Sequence, residues 1–183
     1  FRDWMMKMKI IELCGKAGVG KDTFAQELIS QLEKKGYRCI HVAFADRLKD
    51  ICKRYLNWNG KKNKRGRELL QFVGTDMFRN KDSDFWVNEV KYMLKVFETY
   101  NSFSFVIITD TRFPNEITNL SQEFDCTPYR ITRKNFVSKL TEEAQQHSSE
   151  TALDNFEMEE ICLSGNIENL PKEVGEFIKR WEI

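Results

Sequence analysis

The sequence predicts an α/β fold, a mostly parallel sheet covered by helices on both faces. Two observations predict it. Short apolar, β-branched runs such as "MKIIELC" (8–14) and "SFVIITD" (104–110) read as buried strands. Segments with apolar residues at helical spacing alternate with them, which is the pattern of a parallel sheet packed on both sides. A length of 183 residues suits a single domain with a sizeable core, and 1–183 reads as one domain without linker, repeat or low-complexity tract.

In chain order, 8–14 is the first strand and ends at Gly15. "DTFAQELISQLEKKG" (22–36) carries Phe24, Ala25, Leu28, Ile29 and Leu32 at helical spacing and stops at Gly36. "YRCIHVAF" (37–44) is a second strand and "ADRLKDICKRYL" (45–56) a helix. "NWNGKKNKRGR" (57–67) is polar, basic and punctuated by glycine, so it is expected to be a loop with Lys61, Lys62 and Lys64 in solvent. Residues 68–80 and 84–100 have long helical periodicity. The strand at 104–110 is followed by a helix at 115–124 after Pro114. "DCTPYRITR" (125–133) alternates as a strand, and its Pro128 predicts an irregular or edge segment. Residues 134–150 are a polar excursion, "EICLSGN" (160–166) a last strand, and 169–183 an amphipathic helix.

Composition limits the partners. Hydrophobic residues make up 41% and charged residues 31%, so the chain is neither disordered nor membrane-spanning, and the longest apolar stretches are far too short to cross a bilayer. A net charge of +1 creates no global attraction to nucleic acid or anionic lipid. The five cysteines are odd in number and lack CxxC spacing, as expected of buried reduced thiols in a cytoplasmic protein. Two histidines are too few for a His-rich metal site. "FRDWMMKMKI" lacks the apolar core of a signal peptide, and its first few residues are expected to be a remnant of expression or of an upstream start.

The chemistry starts at "GKAGVGKDT" (15–23), comprising Gly15, Lys16, Ala17, Gly18, Val19, Gly20, Lys21, Asp22 and Thr23. Two glycines five positions apart, then a lysine, sit directly between a strand and a helix. Glycine opens backbone conformations that let the main chain approach a phosphate. The first amides of the helix lack internal partners and face the anion. Lys21 supplies charge for β- and γ-phosphates. This composition would produce the pattern by chance in roughly one chain in twenty of this length, and the strand before and helix after lower that further. Asp22 stands where a hydroxyl usually ligates Mg²⁺. A carboxylate is also a hard oxygen ligand, so Asp22 is the candidate metal ligand, with helix capping as its simpler role. Thr23 places a hydroxyl near the phosphate closest to the nucleoside.

Right-handed crossovers put every loop that follows a strand on one edge of the sheet, where ligands bind. Asp46 and Arg47 follow the second strand, and Asp110 and Arg112 the third. A carboxylate there suits a metal site or the orientation of a nucleophile, and helix capping is the alternative. Arg67 and Arg79 flank a helical run, and guanidinium groups suit bidentate phosphate recognition. Gly74 interrupts that run at a cost of about 1 kcal/mol against Ala, which hints at a close backbone approach. Arg130 and Arg133 end the fourth strand before the polar excursion. Arginines on a closing lid would stabilise the charge that develops in phosphoryl transfer. "HSSE" places His147 and Glu150 at the far end of that lid, and it is no hydrolase triad because no nucleophile elbow exists.

Together "GKAGVGKDTFA", "FADRLKD", "GRELLQFVGTDMFR", "DTRFPNE" and "HSSE" resemble the bacteriophage deoxynucleoside monophosphate kinases, within the P-loop kinases. The resemblance runs from about residue 9 to 166, and "GKD" is typical of that family and of animal phosphomevalonate kinases. It implies a P-loop three-layer α/β/α domain with a five-stranded parallel core, a substrate-binding helical region at about 45–100 and a lid at about 133–152. It implies transfer of the ATP γ-phosphoryl group to a deoxynucleoside monophosphate with Mg²⁺, in a cytoplasm (the host's, for a viral source), by a monomer or homodimer. By position, 15–23 would bind ATP. Asp46, Arg47, Arg67, Arg79, Asp110 and Arg112 would serve the acceptor pocket or metal shell. Lys21, Asp110, Arg130 and Arg133 would act on the transferring group, and Glu150 would bind substrate or order the lid. "SGNIENL" (164–170) would border the adenine. Rival readings are a P-loop kinase for phosphomevalonate or dephospho-coenzyme A, and a non-kinase ATP- or nucleic-acid-binding module using "GKKNKRGR".

Overall fold

The computed structural model describes residues 7–61 and 63–181; the expectations for the first few residues and for Lys62 lie outside them. Five strands, β1 (Lys9–Cys14), β2 (Cys39–Val42), β3 (Phe105–Thr111), β4 (Asp125–Arg133) and β5 (Glu159–Leu163), form one sheet in the order β2-β3-β1-β4-β5. Every neighbouring pair is parallel. The helices are α1 (Lys21–Lys34), α2 (Ala45–Tyr55), α3 (Lys64–Gln71), α4 (Phe85–Thr99), α5 (Pro114–Glu123), the short α6 (Glu142–Gln145) and α7 (Ser148–Thr151), and α8 (Leu170–Lys179). A π-helical stretch, Phe72–Arg79, continues α3.

The side-chain alternation of the central strand builds both cores. Ile11 and Leu13 of β1 pack with Phe24 and Leu28 of α1 and Val174 and Phe177 of α8. Ile10, on the other face, packs with Val87, Val90 and Leu94 of α4 and Leu120 of α5. The helices between β2 and β3 have a smaller core of their own, where Cys52, Trp58 and Val73 meet Leu48, Leu69, Leu70 and Phe78. This arrangement puts the carboxyl ends of all five strands, and the loops that leave them, on one edge.

Four sequence expectations change. The basic segment is not loop throughout: α3 begins at Lys64 because the Asn63 side chain accepts from Gly66 N at 2.9 Å and caps it. The run at 68–80 is not one α-helix. Its second half widens into the π-helix, where Asn80 N reaches Thr75 O at 2.8 Å and the Gly74 carbonyl accepts from Trp86 Nε1 at 3.0 Å. A Cβ on Gly74 would stand 2.8 Å from Leu48 Cδ2, so the close approach is to a neighbouring side chain. Strand β4 is continuous and interior despite Pro128. Pairing with β5 starts only at Tyr129, so Pro128 has a neighbour on one side alone and the missing N–H disrupts little. The described cysteines are all free, but Cys162 is exposed, because β5 is an edge strand.

One buried residue runs against the apolar pattern. Glu12 lies in the middle of β1 with no exposed surface. Its carboxyl accepts from Thr111 Oγ1 at 2.7 Å and Cys126 Sγ at 2.9 Å. Burial, reinforced by the nearby carboxylates of Glu116 and Asp110, pushes its pKa from 4.5 up to about 7, and the thiol of Cys14 is held up in part by the same group. The fold therefore favours protonated Glu12. Its contribution to stability is fully present below about pH 4.5 and is lost as the pH rises to about 7. Gln cannot ionise. Glu12→Gln is expected to gain on the wild type by up to about 3 kcal/mol between pH 5 and pH 8, read from urea unfolding at the two values. A difference independent of pH would mean that Glu12 is solvated in the fold.

Candidate active site

Strand β1 ends at Gly15, and the chain turns through the glycine loop into α1. Gly15 has φ +136, and a Cβ there would lie 2.5 Å from the Ile131 carbonyl oxygen, so only glycine lets the loop pass this close to β4. Gly20, at the N-cap of α1, has φ +119 and supplies no side-chain cap. Asp22 lies in the first turn of α1, so it does not fill the capping role, and it and Thr23 are exposed at the helix entrance. The positive end of α1 and its unpartnered first amides thus face the crevice.

Lys21 is buried, and its ammonium folds back on the loop, donating to Gly15 O at 2.8 Å and Lys16 O at 3.0 Å. Burial lowers its pKa from 10.5 to about 8; Arg112 adds to the lowering and Glu150 opposes it. Arg112 Nη1 also points at Gly15 O, at 3.5 Å. Two cations therefore converge at the mouth of the loop. An anion there would relieve their repulsion and take over the amides of the α1 terminus. The residues present fit a nucleotide's phosphates.

The remaining candidates fall into groups. Arg112 Nη1 pairs with Glu150 Oε1 at 2.5 Å, and Glu150 Oε2 accepts from Ala17 N at 2.9 Å. Arg79 Nη2 pairs with Glu116 Oε1 at 2.8 Å and lies 4.1 Å above the Phe113 ring. Asp110, largely buried, accepts from Phe44 N at 2.8 Å and Ala45 N at 3.0 Å, and Asp46 accepts from Ala43 N at 3.0 Å and pairs with Lys49. Both aspartates thus hold the turn between β2 and α2. Burial pushes the Asp110 pKa up, and those two amides oppose it. Arg130 donates to the carbonyls of Leu153 and Phe156 at 2.7 and 2.8 Å. Arg133 stacks on Phe136. Arg47 points toward Asp50 and Glu89, and Arg67 is exposed on α3. A cleft of about 130 Å³ opens between Gly15, Arg112, Arg130 and Glu150, beside the mouth of the glycine loop. Among the described residues no cluster of three or more acidic, His or Cys side chains could hold a metal on its own, so a Mg²⁺ at Asp22 would draw its other ligands from water and from a bound phosphate.

Sequence reading missed Glu116, Phe113 and Asp154 as members of the site. Glu116 is 1% exposed and has three partners: Arg79, Arg112 N at 2.6 Å and Phe113 N at 3.0 Å. The signal was present in Pro114 opening α5 with Glu116 two residues on, the position whose side chain reaches back to the helix-entry amides.

No family model matches the chain, and no curated protein does. Solved structures do align with the chain. A protein designated APE1195 aligns over 97% of each chain at 12% identity and a TM-score of 0.47. A mutant of the APS kinase CysC of Mycobacterium tuberculosis aligns over 97% of this chain and 99% of its own, at 11% identity and a TM-score of 0.51. The chain shares the α/β fold of that APS kinase, a parallel five-stranded sheet with helices on both sides. No helix of the described residues is long and apolar enough to cross a membrane.

Replacing Glu116 by Ala leaves Arg79 without its carboxylate and two helix-entry amides without an acceptor. Glu116→Ala is expected to cost about 3–5 kcal/mol, measured by urea unfolding at pH 7. A loss below about 1 kcal/mol would mean that water replaces the carboxylate freely.

Proposed function

We propose that this chain is a Mg²⁺-dependent kinase that moves the γ-phosphoryl group of ATP onto a deoxynucleoside monophosphate. The observation that carries the reading is the convergence of Lys21 and Arg112 on the Gly15 carbonyl, at the mouth of a glycine loop that opens a helix. In this reading residues 15–23 hold the ATP phosphates, and Asp22 is the residue that would hold Mg²⁺, which would supply positive charge against the phosphates. Residues 45–100 form the acceptor side, with Arg79 presented by Glu116 and Phe113. Residues 133–152 form the lid.

The chemistry asks little covalent work of the protein. An oxygen of the acceptor phosphate attacks the γ-phosphorus in line. The bond to the β,γ-bridging oxygen breaks, and ADP leaves with that electron pair. Lys21 and Arg112 offset charge on the transferring group, and α1 fixes the donor. The acceptor oxygen is already anionic, so no general base is required. The sequence segments "GTD" and "DTRFPNE" favour a nucleotide acceptor over phosphomevalonate or dephospho-coenzyme A. The net charge of +1 weighs against a nucleic-acid-binding module.

An ADP-release assay with Mg²⁺-ATP tests this against the four deoxynucleoside monophosphates, their ribose counterparts, APS, phosphomevalonate and dephospho-coenzyme A. Turnover with at least one deoxynucleotide is expected. Lys21→Ala is expected to lower it by at least a hundredfold, about 2.7 kcal/mol, while the protein stays folded. Turnover with a different acceptor alone would replace the substrate assignment, and turnover with none would remove it.

A further inference from the structure

The segment around α7 holds the phosphate loop from outside. Lys16 Nζ donates to Glu150 O at 2.5 Å and to Asp154 Oδ1 at 2.6 Å. Ala17 N donates to Glu150 Oε2, and Arg112 Nη1 donates to Glu150 Oε1 and to Ser149 O at 3.3 Å. His147 caps this short helix, its Nδ1 accepting from Ser149 N at 3.2 Å. The loop, the end of β3 and α7 are therefore tied through one carboxylate.

That carboxylate has little left for a ligand. The Glu150 side chain is 8% exposed, with one oxygen on a loop amide and the other on a guanidinium. It is also a counter-charge to a crowded set of cations, because Lys16, Arg112 and Arg130 line one cleft and Lys21 lies behind Gly15. Without it Arg112 would be repelled from the loop that it faces, and the Ala17 amide would lose its acceptor.

We infer that Glu150 is a positioning residue that contacts no substrate: it holds the Arg112 guanidinium at the mouth of the loop and fixes the loop's Ala17 amide. The sequence left its role open between substrate binding and lid order, and the geometry gives it a third. The amide it uses lies on the shoulder of the loop, which leaves the amides at the α1 terminus for phosphate. The kinetic consequences rest on the kinase reading; the effect on Arg112 does not.

Glu150→Gln separates these roles. Its amide oxygen still accepts from Ala17 N, but its amide nitrogen faces Arg112 donor to donor. In the folded variant kcat is expected to fall by about 10–100-fold, with the acceptor KM and the Kd for Mg²⁺-ATP within about threefold of wild type. Glu150→Asp keeps the charge but is too short to reach both partners, and is expected to fall between the two. Glu150→Gln combined with Arg112→Lys is expected to be no worse than the poorer single variant, because both act on one contact. Nitrogen-detected NMR of the arginine side chains supplies a readout free of turnover: restricted guanidinium rotation at Arg112 in the wild type, lost in Glu150→Gln. A tenfold rise in acceptor KM at unchanged kcat would make Glu150 a substrate ligand and overturn the inference. An unchanged Arg112 spectrum would overturn it too. If the wild type turns over no acceptor, the kinase reading fails and the Arg112 spectrum alone decides the role of Glu150.

Discussion

The passage of Gly15 past β4 sets the geometry of everything around it. The loop crosses so close to the Ile131 carbonyl that a single added carbon would lie at 2.5 Å. With that clearance, the chain leaves the central strand, turns within a few residues and enters α1 with its first amides facing the crevice. Lys21 then folds back to the same glycine's carbonyl, and Arg112 arrives at it from the neighbouring strand. Any bulkier residue at position 15 would move the loop away from β4, and both cations would lose the point at which they meet.

Carboxylates hold the cations in place. Glu116 takes Arg79 on one oxygen and the backbone after β3 on the other, and Glu150 takes the Arg112 side chain and a loop amide. One stretch, Arg112–Phe113, is thus fixed from two sides, by α5 beneath it and α7 beside it. The same logic in reverse explains Glu12, which is buried without a cation and whose pKa is pushed up by that burial. Paired carboxylates frame the crevice, and an unpaired one lies beneath it in the sheet. The helices between β2 and β3 pack on their own core and contribute Arg79 through the last residue of the π-helix.

Much of this was legible in the residues. The five strands, the long helices α1, α2, α4, α5 and α8 and the glycine loop follow from periodicity and from the position of Gly15 and Lys21, whereas the short helices α6 and α7 lie in a segment that reads only as a polar excursion. The limits of α3 and the π-helix did not, because a basic, polar segment looks like a loop until Asn63 is seen to cap it. The widening at Gly74 depends on a tertiary bond from Trp86 that local pattern does not encode. Pro128 misled because the local rule for strands ignores how far each neighbour extends. Among site residues, sequence reading picked out the charges that follow strands. It did not show that Arg130 is engaged with the carbonyls of Leu153 and Phe156, or that Arg47 faces Asp50 and Glu89. The supporting partners Glu116 and Asp154 were missed because pairing across 37 or 138 positions is fixed by the fold and not by spacing.

The loop after β1 is proposed to hold phosphate. Calorimetric titration of Mg²⁺-ATP into the folded protein, repeated in the presence of inorganic tripolyphosphate, tests it most directly. Saturable binding of ATP is expected, displaced by tripolyphosphate and not by adenosine, since backbone amides and Lys21 would recognise the phosphates. Folded protein that takes up no ATP, or ATP binding that tripolyphosphate leaves untouched, would contradict it.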